Sequence, residues 1–171
     1  MTLDKQLKKL SNGDESAFEY IYGQTYKTVY YIALSIVKER QLAEDVMQSA
    51  YLNVIKNARL YVRGTNAVGW IARIARNEAL NLMKKRGRVV YVDERENLHT
   101  FGTSSTDDYG LLTDLARRTL EEDEFTVLML IATQGYKRKE ISEILEMPIS
   151  TVTYKFNRAT EKMRKALEDK N

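Results

Sequence analysis

One proline, Pro148, in 171 residues is the feature that most restricts this chain. Proline breaks helix interiors, and strand-and-turn architectures use it at edges and corners. Its scarcity beside long apolar patterns of period 3.6 selects an almost wholly helical protein. The expected fold class is all-α. The patterns give a helix capped by Asp14 or Ser16 with Phe18, Ile21 and Tyr22 on its apolar side, then helices over about 25–38, 41–58 and 66–86. From Gly87 to Gly110 the pattern breaks. The run Gly102-Thr103-Ser104-Ser105-Thr106-Asp107-Asp108 is polar and turn-rich, as flexible linkers are. Helical periodicity resumes near Leu111 and continues, with breaks at Gly135 and around Pro148, to the end. The expected organisation is two small helical domains, 1–87 and 111–171, joined by a linker at 88–110.

The chain contains no cysteine and one histidine, His99. That excludes a disulfide framework, a Cys-ligated metal site and a histidine cluster, so no metal, cofactor or catalytic residue is expected. Residues 1–10 lack the apolar core of a signal peptide, and no apolar run approaches the ~20 residues of a membrane span. A cytoplasmic protein without membrane insertion is expected.

Net charge is only +3, but it is distributed in blocks. Residues 1–90 carry 15 Lys/Arg and 8 Asp/Glu, residues 91–126 carry 3 and 10, and residues 127–171 carry 9 and 6. Two basic modules around an acidic segment suit a protein that meets a polyanion twice. Ordinary solvated helix surfaces would give the same totals.

Helical wheels refine this. On the helix over 66–86, Arg73, Arg76, Asn77, Leu80 and Lys84 fall within about 50° of one direction, and Val68, Ile71, Ala75, Ala79 and Leu82 cluster opposite. Lys85, Arg86 and Arg88 extend the charge past the expected helix end. Such a stripe either holds phosphates and reaches base edges or serves as a solubilising face. Just before it, Tyr61, Arg63 and Asn66 lie in a loop with Gly64 and lead to Trp70. Aromatic rings beside arginine are what unpaired bases stack on, although Trp70 fits a core position equally well.

On the helix over 41–58, Leu42, Val46, Ala50 and Val54 make the buried stripe. Glu44, Asp45, Gln48, Leu52 and Ile55 lie roughly opposite. Adjacent carboxylates on a helix diverge by about 100° and have no nucleophile or metal ligand beside them, so acid–base catalysis is not indicated. Exposed Leu and Ile framed by polar groups read as a docking surface or as a solvated face.

Near the C-terminus, Lys139 to Leu145 form a short helix, Glu146-Met147-Pro148 a turn, and Ile149 to about Glu168 a second helix. On that helix Val152, Phe156, Ala159, Met163 and Leu167 share one side. Thr151, Tyr154, Lys155, Arg158, Lys162 and Lys165 share another. A helix–turn–helix of this kind either enters the major groove, with N-terminal residues on bases and later cations, Lys162 and Lys165, on phosphate, or is an ordinary helical hairpin.

These segments, in this order, resemble the extracytoplasmic-function sigma factors of bacterial RNA polymerase, group 4 of the sigma-70 family. Asp14 to Tyr20 is similar to the family's opening helix. Ala43-Glu44-Asp45-Val46-Met47-Gln48 resembles its AED-x-x-Q signature. Trp70-Ile71-Ala72-Arg73-Ile74-Ala75-Arg76-Asn77 resembles its W-[LI]-x-x-I-A-R-N helix. Glu140-Ile141, Met147 to Val152 and Arg158-Ala159 resemble its C-terminal helix-turn-helix.

The resemblance implies a region 2-like bundle followed by a region 4-like helix-turn-helix, with no enzymatic activity. The partners it implies are core RNA polymerase (β′ coiled coil and β flap), promoter DNA and an anti-sigma factor. Glu44, Asp45, Gln48 and Leu52 would then bind polymerase. Tyr61, Arg63, Asn66, Trp70, Arg73, Arg76, Asn77 and Lys84 would read and open the minus-ten element. Ser150, Thr151, Thr153, Tyr154, Lys155 and Arg158 would read the minus-35 element. Ser150 stands where the family usually has Gly, and Thr153-Tyr154-Lys155 replaces a common Lys-Ser-Arg, so the minus-35 preference is expected to be the chain's own. A rival of another class is a stand-alone helix-turn-helix regulator that never touches polymerase. A nuclease or nucleotidyltransferase would need clustered carboxylates; Asp107-Asp108 in the linker and Glu121 to Glu124 at a helix start read as structural instead.

Overall fold

The computed structural model describes residues 2–90 and 108–169. Among these residues every regular element is helical: α1 (Leu3–Ser11), α2 (Ala17–Val37), α3 (Arg40–Asn57), a 3-10 turn (Ala58–Leu60), α4 (Ala67–Val90), α5 (Asp108–Thr119), α6 (Glu122–Gln134), α7 (Arg138–Leu145) and α8 (Ile149–Glu168). The all-α expectation holds.

Three boundaries differ from the sequence reading. Residues 17–37 form one helix rather than two. A buried polar–apolar stripe continues past the exposed Gly23 unbroken: Ile21, Thr25, Thr28, Val29 and Ile32 all lie inside. Thr25 Oγ1 donates to the Ile21 carbonyl at 2.7 Å and lies 2.8 Å from Tyr51 Oη, so this threonine is satisfied within the core. An additional helix, α1, precedes it and buries Leu7 and Leu10 on the bundle. The expected linker, 88–110, falls mostly outside the described residues. At its edges α4 runs on to Val90 and α5 begins at Asp108, so helix extends into it from both sides and Lys85 and Arg86 are part of α4.

Helices α1–α4 pack around Leu7, Ile21, Val29, Val54, Ile71 and Ala75. The second half packs around Val127, Leu130, Ile141 and Val152. Between them lies a third cluster built from both halves: Ala33, Leu34 and Val37 of α2, Val46 of α3 and Ala79 of α4 meet Leu120, Phe125, Met129 and Ala159. The two halves therefore share a core. Phe125, fully buried, sets its ring edge-on to Tyr31 with centroids 6.3 Å apart. Arg40 pairs with Asp114 at 3.2 Å across the same seam.

The turn between α7 and α8 follows from three residues. Glu146 takes a left-handed conformation (φ 54°) and ends α7. Ser142 Oγ donates to the Met147 carbonyl at 2.6 Å. Pro148, at φ −56° and ψ 145°, opens α8, and its carbonyl accepts from the Val152 N–H at 3.1 Å.

Candidate polymerase and nucleic-acid interfaces

The exposed face of α3 has the composition the wheel gave it. Ala43, Val46, Ala50, Tyr51 and Val54 are buried, while Glu44, Asp45, Gln48, Leu52 and Ile55 face solvent. Leu52 is 66 % exposed, too much for a leucine that owes its place to the core. Next to α3 lies an aromatic cluster. Tyr22 and Tyr26 of α2 are exposed and stack at 5.6 Å with an interplanar angle of 14°, and Tyr22 sits 5.0 Å from the Tyr51 ring. An aromatic ladder thus joins α2 to α3. The sequence reading put Tyr22 on the apolar side of its helix; it is instead 41 % exposed, held by the ring of Tyr26 one turn on.

On α4, Ile71, Ala72, Ala75 and Ala79 are buried, and Arg73, Arg76, Asn77 and Lys84 are exposed. The loop before α4 is ordered by its own side chains. Asn66 Oδ1 accepts from the Gly69 N–H at 2.9 Å and so caps the helix. The Tyr61 hydroxyl bonds to the Asp4 carboxylate of α1 and lies 2.8 Å from the Thr65 carbonyl. Burial first, and then the Asp4 carboxylate, push the Tyr61 phenol up to about 12, so it remains a donor at neutral pH. Its ring lies 5.5 Å from that of Trp70, which is half-buried against the core. Arg63 is exposed. Tyr61, Asn66 and Trp70 therefore have structural partners already, a point sequence spacing could not reveal.

On α8, Val152 and Ala159 are fully buried, and Phe156 and Met163 half-buried. Leu167 departs from the expected packed face: it is 42 % exposed, near the free end of the helix. Ser150 is exposed, Thr151 and Thr153 are half-buried, and Tyr154 is 56 % exposed. Arg158 Nη1 donates to Tyr154 Oη at 3.1 Å.

The cations behind them are engaged by the start of α6. Lys155 lies 3.9 Å from Glu121 and 3.7 Å from Asp123, Arg158 Nε lies 3.1 Å from Glu124, and Lys162 Nζ lies 2.7 Å from Glu124 and 3.7 Å from Glu121. Glu124 is fully buried. It also accepts from the Glu121 N–H at 3.1 Å, closing a capping box at the start of α6. Burial alone would raise its carboxyl; the Lys162 hydrogen bond, the Glu121 N–H and Arg158 outweigh that and hold it below the ordinary carboxylate range. Lys162 is thus the counterion of a buried carboxylate as well as a cation of α8, whereas among the described residues Lys165 pairs along its own helix, with Glu161 at 2.9 Å.

Among the described residues no group of three or more His, Cys, Asp or Glu side chains could hold a metal ion, and no helix is long and apolar enough to cross a membrane. A cationic helix served by a capped aromatic loop, followed by a helix-turn-helix, defines a DNA-binding protein with two recognition modules.

Residues 21–89 match the sequence model of Sigma-70 region 2, and residues 114–163 match that of Sigma-70, region 4. Together the two matches take in most of the chain and follow in the family's order: the chain belongs to the sigma-70 family, and within it resembles the extracytoplasmic-function group. The chain is 26 % identical to the RNA polymerase sigma factor CarQ of Myxococcus xanthus over 94 % of its length and 95 % of that protein. It is likewise 26 % identical to the ECF RNA polymerase sigma factor SigW of Bacillus subtilis over 99 % and 98 %. Its fold is similar to that of the sigma factor RpoE in complex with the anti-sigma factor NepR from Bartonella quintana (TM-score 0.66, 21 % identity, 88 % of this chain and 96 % of that one). It is also similar to CnrH in complex with the cytosolic domain of CnrY (TM-score 0.68, 16 % identity, 98 % of each).

Proposed function

We propose that this chain binds core RNA polymerase through the exposed face of α3 and directs it to promoters, the α4 stripe and its loop reading the minus-ten element and the start of α8 reading the minus-35 element. The observation that carries this is the face of α3. Glu44, Asp45, Gln48 and Leu52 stand on the solvent side of a helix whose other side is buried, and that helix lies inside the region 2 match. A stand-alone helix-turn-helix regulator would have no use for such a module. The work required is binding and the exchange of base stacking for protein contacts, with no covalent step, and it takes place in the cytoplasm where polymerase and promoter are. Since both solved relatives are complexes, RpoE with the anti-sigma factor NepR and CnrH with CnrY, a protein antagonist of the same kind is proposed for this chain.

The test is run-off transcription with core polymerase on host genomic fragments, alongside polymerase affinity for Asp45→Arg and Gln48→Ala. Both substitutions lie on exposed positions, so melting should stay within about 0.5 kcal/mol of the native chain. Affinity should fall by at least tenfold. Unchanged affinity, or loss of fold in both variants, overturns the docking assignment; absence of run-off products with a folded chain overturns the function.

A further inference from the structure

Tyr154 stands on the outer side of the first half of α8 and is 56 % exposed. One turn on, Arg158 reaches back to it. Its Nη1 donates to the Tyr154 hydroxyl oxygen at 3.1 Å, and the guanidinium lies 5.7 Å from the centre of the ring. The direction of that hydrogen bond is fixed, because a guanidinium donates, never accepts and does not lose its charge. Arg158 is anchored in turn by the core. Its Nε lies 3.1 Å from Glu124, whose side chain is 0 % exposed and which also takes Lys162 at 2.7 Å. Glu124 is itself set by the start of α6, where it accepts from the Glu121 N–H at 3.1 Å. A buried carboxylate, a partly exposed arginine and an exposed phenol therefore form one line from core to surface. All three lie on α6 and α8, in the C-terminal half of the chain, so the line does not depend on how the two halves are arranged.

We infer that Arg158 is a positioning residue that makes the Tyr154 hydroxyl a pure donor, so that Tyr154 selects a base with an acceptor on its major-groove edge and rejects cytosine. This rests on the proposed reading of α8 as the helix that meets the minus-35 element, and it names what one position of that element must present. A phenol left to itself turns its O–H and serves as donor or acceptor, and such a group discriminates little. With Arg158 donating into its oxygen, a second donor would crowd the same atom, while the O–H remains to be given. The O–H lies near the ring plane and points away from Arg158. That is toward the N-terminal end of α8, where a recognition helix meets bases. In the major groove guanine offers N7 and O6 and thymine offers O4, all acceptors, whereas cytosine offers only its N4 amino donor. A hydroxyl donor set against that amino group leaves both unsatisfied, and this cost separates the bases. Arg158 thereby acts through Tyr154 rather than on the DNA.

The experiment takes a promoter fragment that yields run-off product with core polymerase and the full chain, and randomises it over the segment upstream of its start site. Duplexes bound by the holoenzyme are recovered and sequenced for the native chain, Tyr154→Phe, Arg158→Met and Lys165→Ala. With the native chain one position should disfavour cytosine by at least about fivefold, the loss expected of one mismatched contact. Tyr154→Phe keeps the ring, drops the hydroxyl and should level the preference at that position. Arg158→Met should level the same position, by releasing the hydroxyl to accept from cytosine, and leave the preferences elsewhere as they were. Lys165→Ala should lower recovery of all duplexes alike. Arg158→Met leaves Glu124 its contact with Lys162. Should that variant melt early, Arg158→Lys takes its place, since one ammonium cannot serve carboxylate and phenol together as the planar guanidinium does. The assignment is overturned if Tyr154→Phe alters no position, if the position it alters ignores the arginine variant, or if that variant changes overall affinity alone. A native preference for cytosine at the position Tyr154 controls overturns it as well. If no genomic fragment yields run-off product, the promoter reading fails and this inference fails with it.

Discussion

Replacing Lys162 with methionine asks how much of the α8 cationic face is committed to the fold. In the native chain the Lys162 ammonium lies 2.7 Å from a Glu124 oxygen, and the Glu124 side chain is 0 % exposed. Removing one partner of a buried ion pair costs about 3–5 kcal/mol, because the other charge stays buried without compensation. Glu124 keeps Arg158 Nε at 3.1 Å and the Glu121 N–H at 3.1 Å, which lowers the expected loss. About 2–3 kcal/mol remains, below the range for a pair with no second partner. For a chain of this size each kcal/mol moves the midpoint by about 2–4 °C, so thermal melting at neutral pH should fall by about 4–12 °C.

Lys162→Arg, which retains a cation at the same place, should recover most of this. The pH dependence carries a sign. The folded Glu124 carboxyl titrates below the usual 4.5, so its stabilisation is complete above that value and is lost as pH falls through the lowered folded value. The gap between native and Lys162→Met chains should therefore narrow below pH ~4.5. An exposed pair would contribute at most ~1 kcal/mol, so a midpoint shift under about 2 °C, or a gap that stays constant into acid, refutes the structural role assigned to Lys162.

On the same helix, Thr151→Ala and Tyr154→Ala should cost ~1–3 kcal/mol on the preferred duplex and little on random duplex, while Lys165→Ala should weaken both alike and lower the salt slope by roughly one. Equal effects of all three on specific and random DNA would remove α8 from promoter reading. In the loop before α4, Tyr61→Ala and Asn66→Ala should weaken binding to single-stranded oligonucleotides in a sequence-dependent way when polymerase is present. Since Asn66 also caps α4, its Ala variant should lose ~1 kcal/mol of stability. Asn66→Ser keeps a capping oxygen and separates the two roles; a Ser variant that binds as the native chain does would show that Asn66 caps and does not read bases.

What the sequence determined by itself was local. Helix class, the apolar stripes of α3, α4 and α8, and the turn at Glu146 to Pro148 all depend on residues within a few positions of one another, and a period of 3.6 exposes them. The motifs that resemble the family are legible for the same reason, since each lies on one helix. Where boundaries slipped, a distant partner decided. Residues 17–37 are one helix because Thr25 finds Tyr51, 26 positions away, and α1 is held by burying Leu7 and Leu10 on helices it precedes.

The destination of the charges was wholly tertiary. A helical wheel shows that Arg73, Arg76, Lys155, Arg158 and Lys162 face outward from their own helices, but it cannot say what faces them. Glu121 to Glu124 read as the start of a helix, and so they are; only packing reveals that one of them is buried as the counterion of α8 and another reaches α4. The physical reason is range: periodicity is set by bonds along one chain segment, whereas an ion pair between α4 and α6 depends on how two halves close over Phe125.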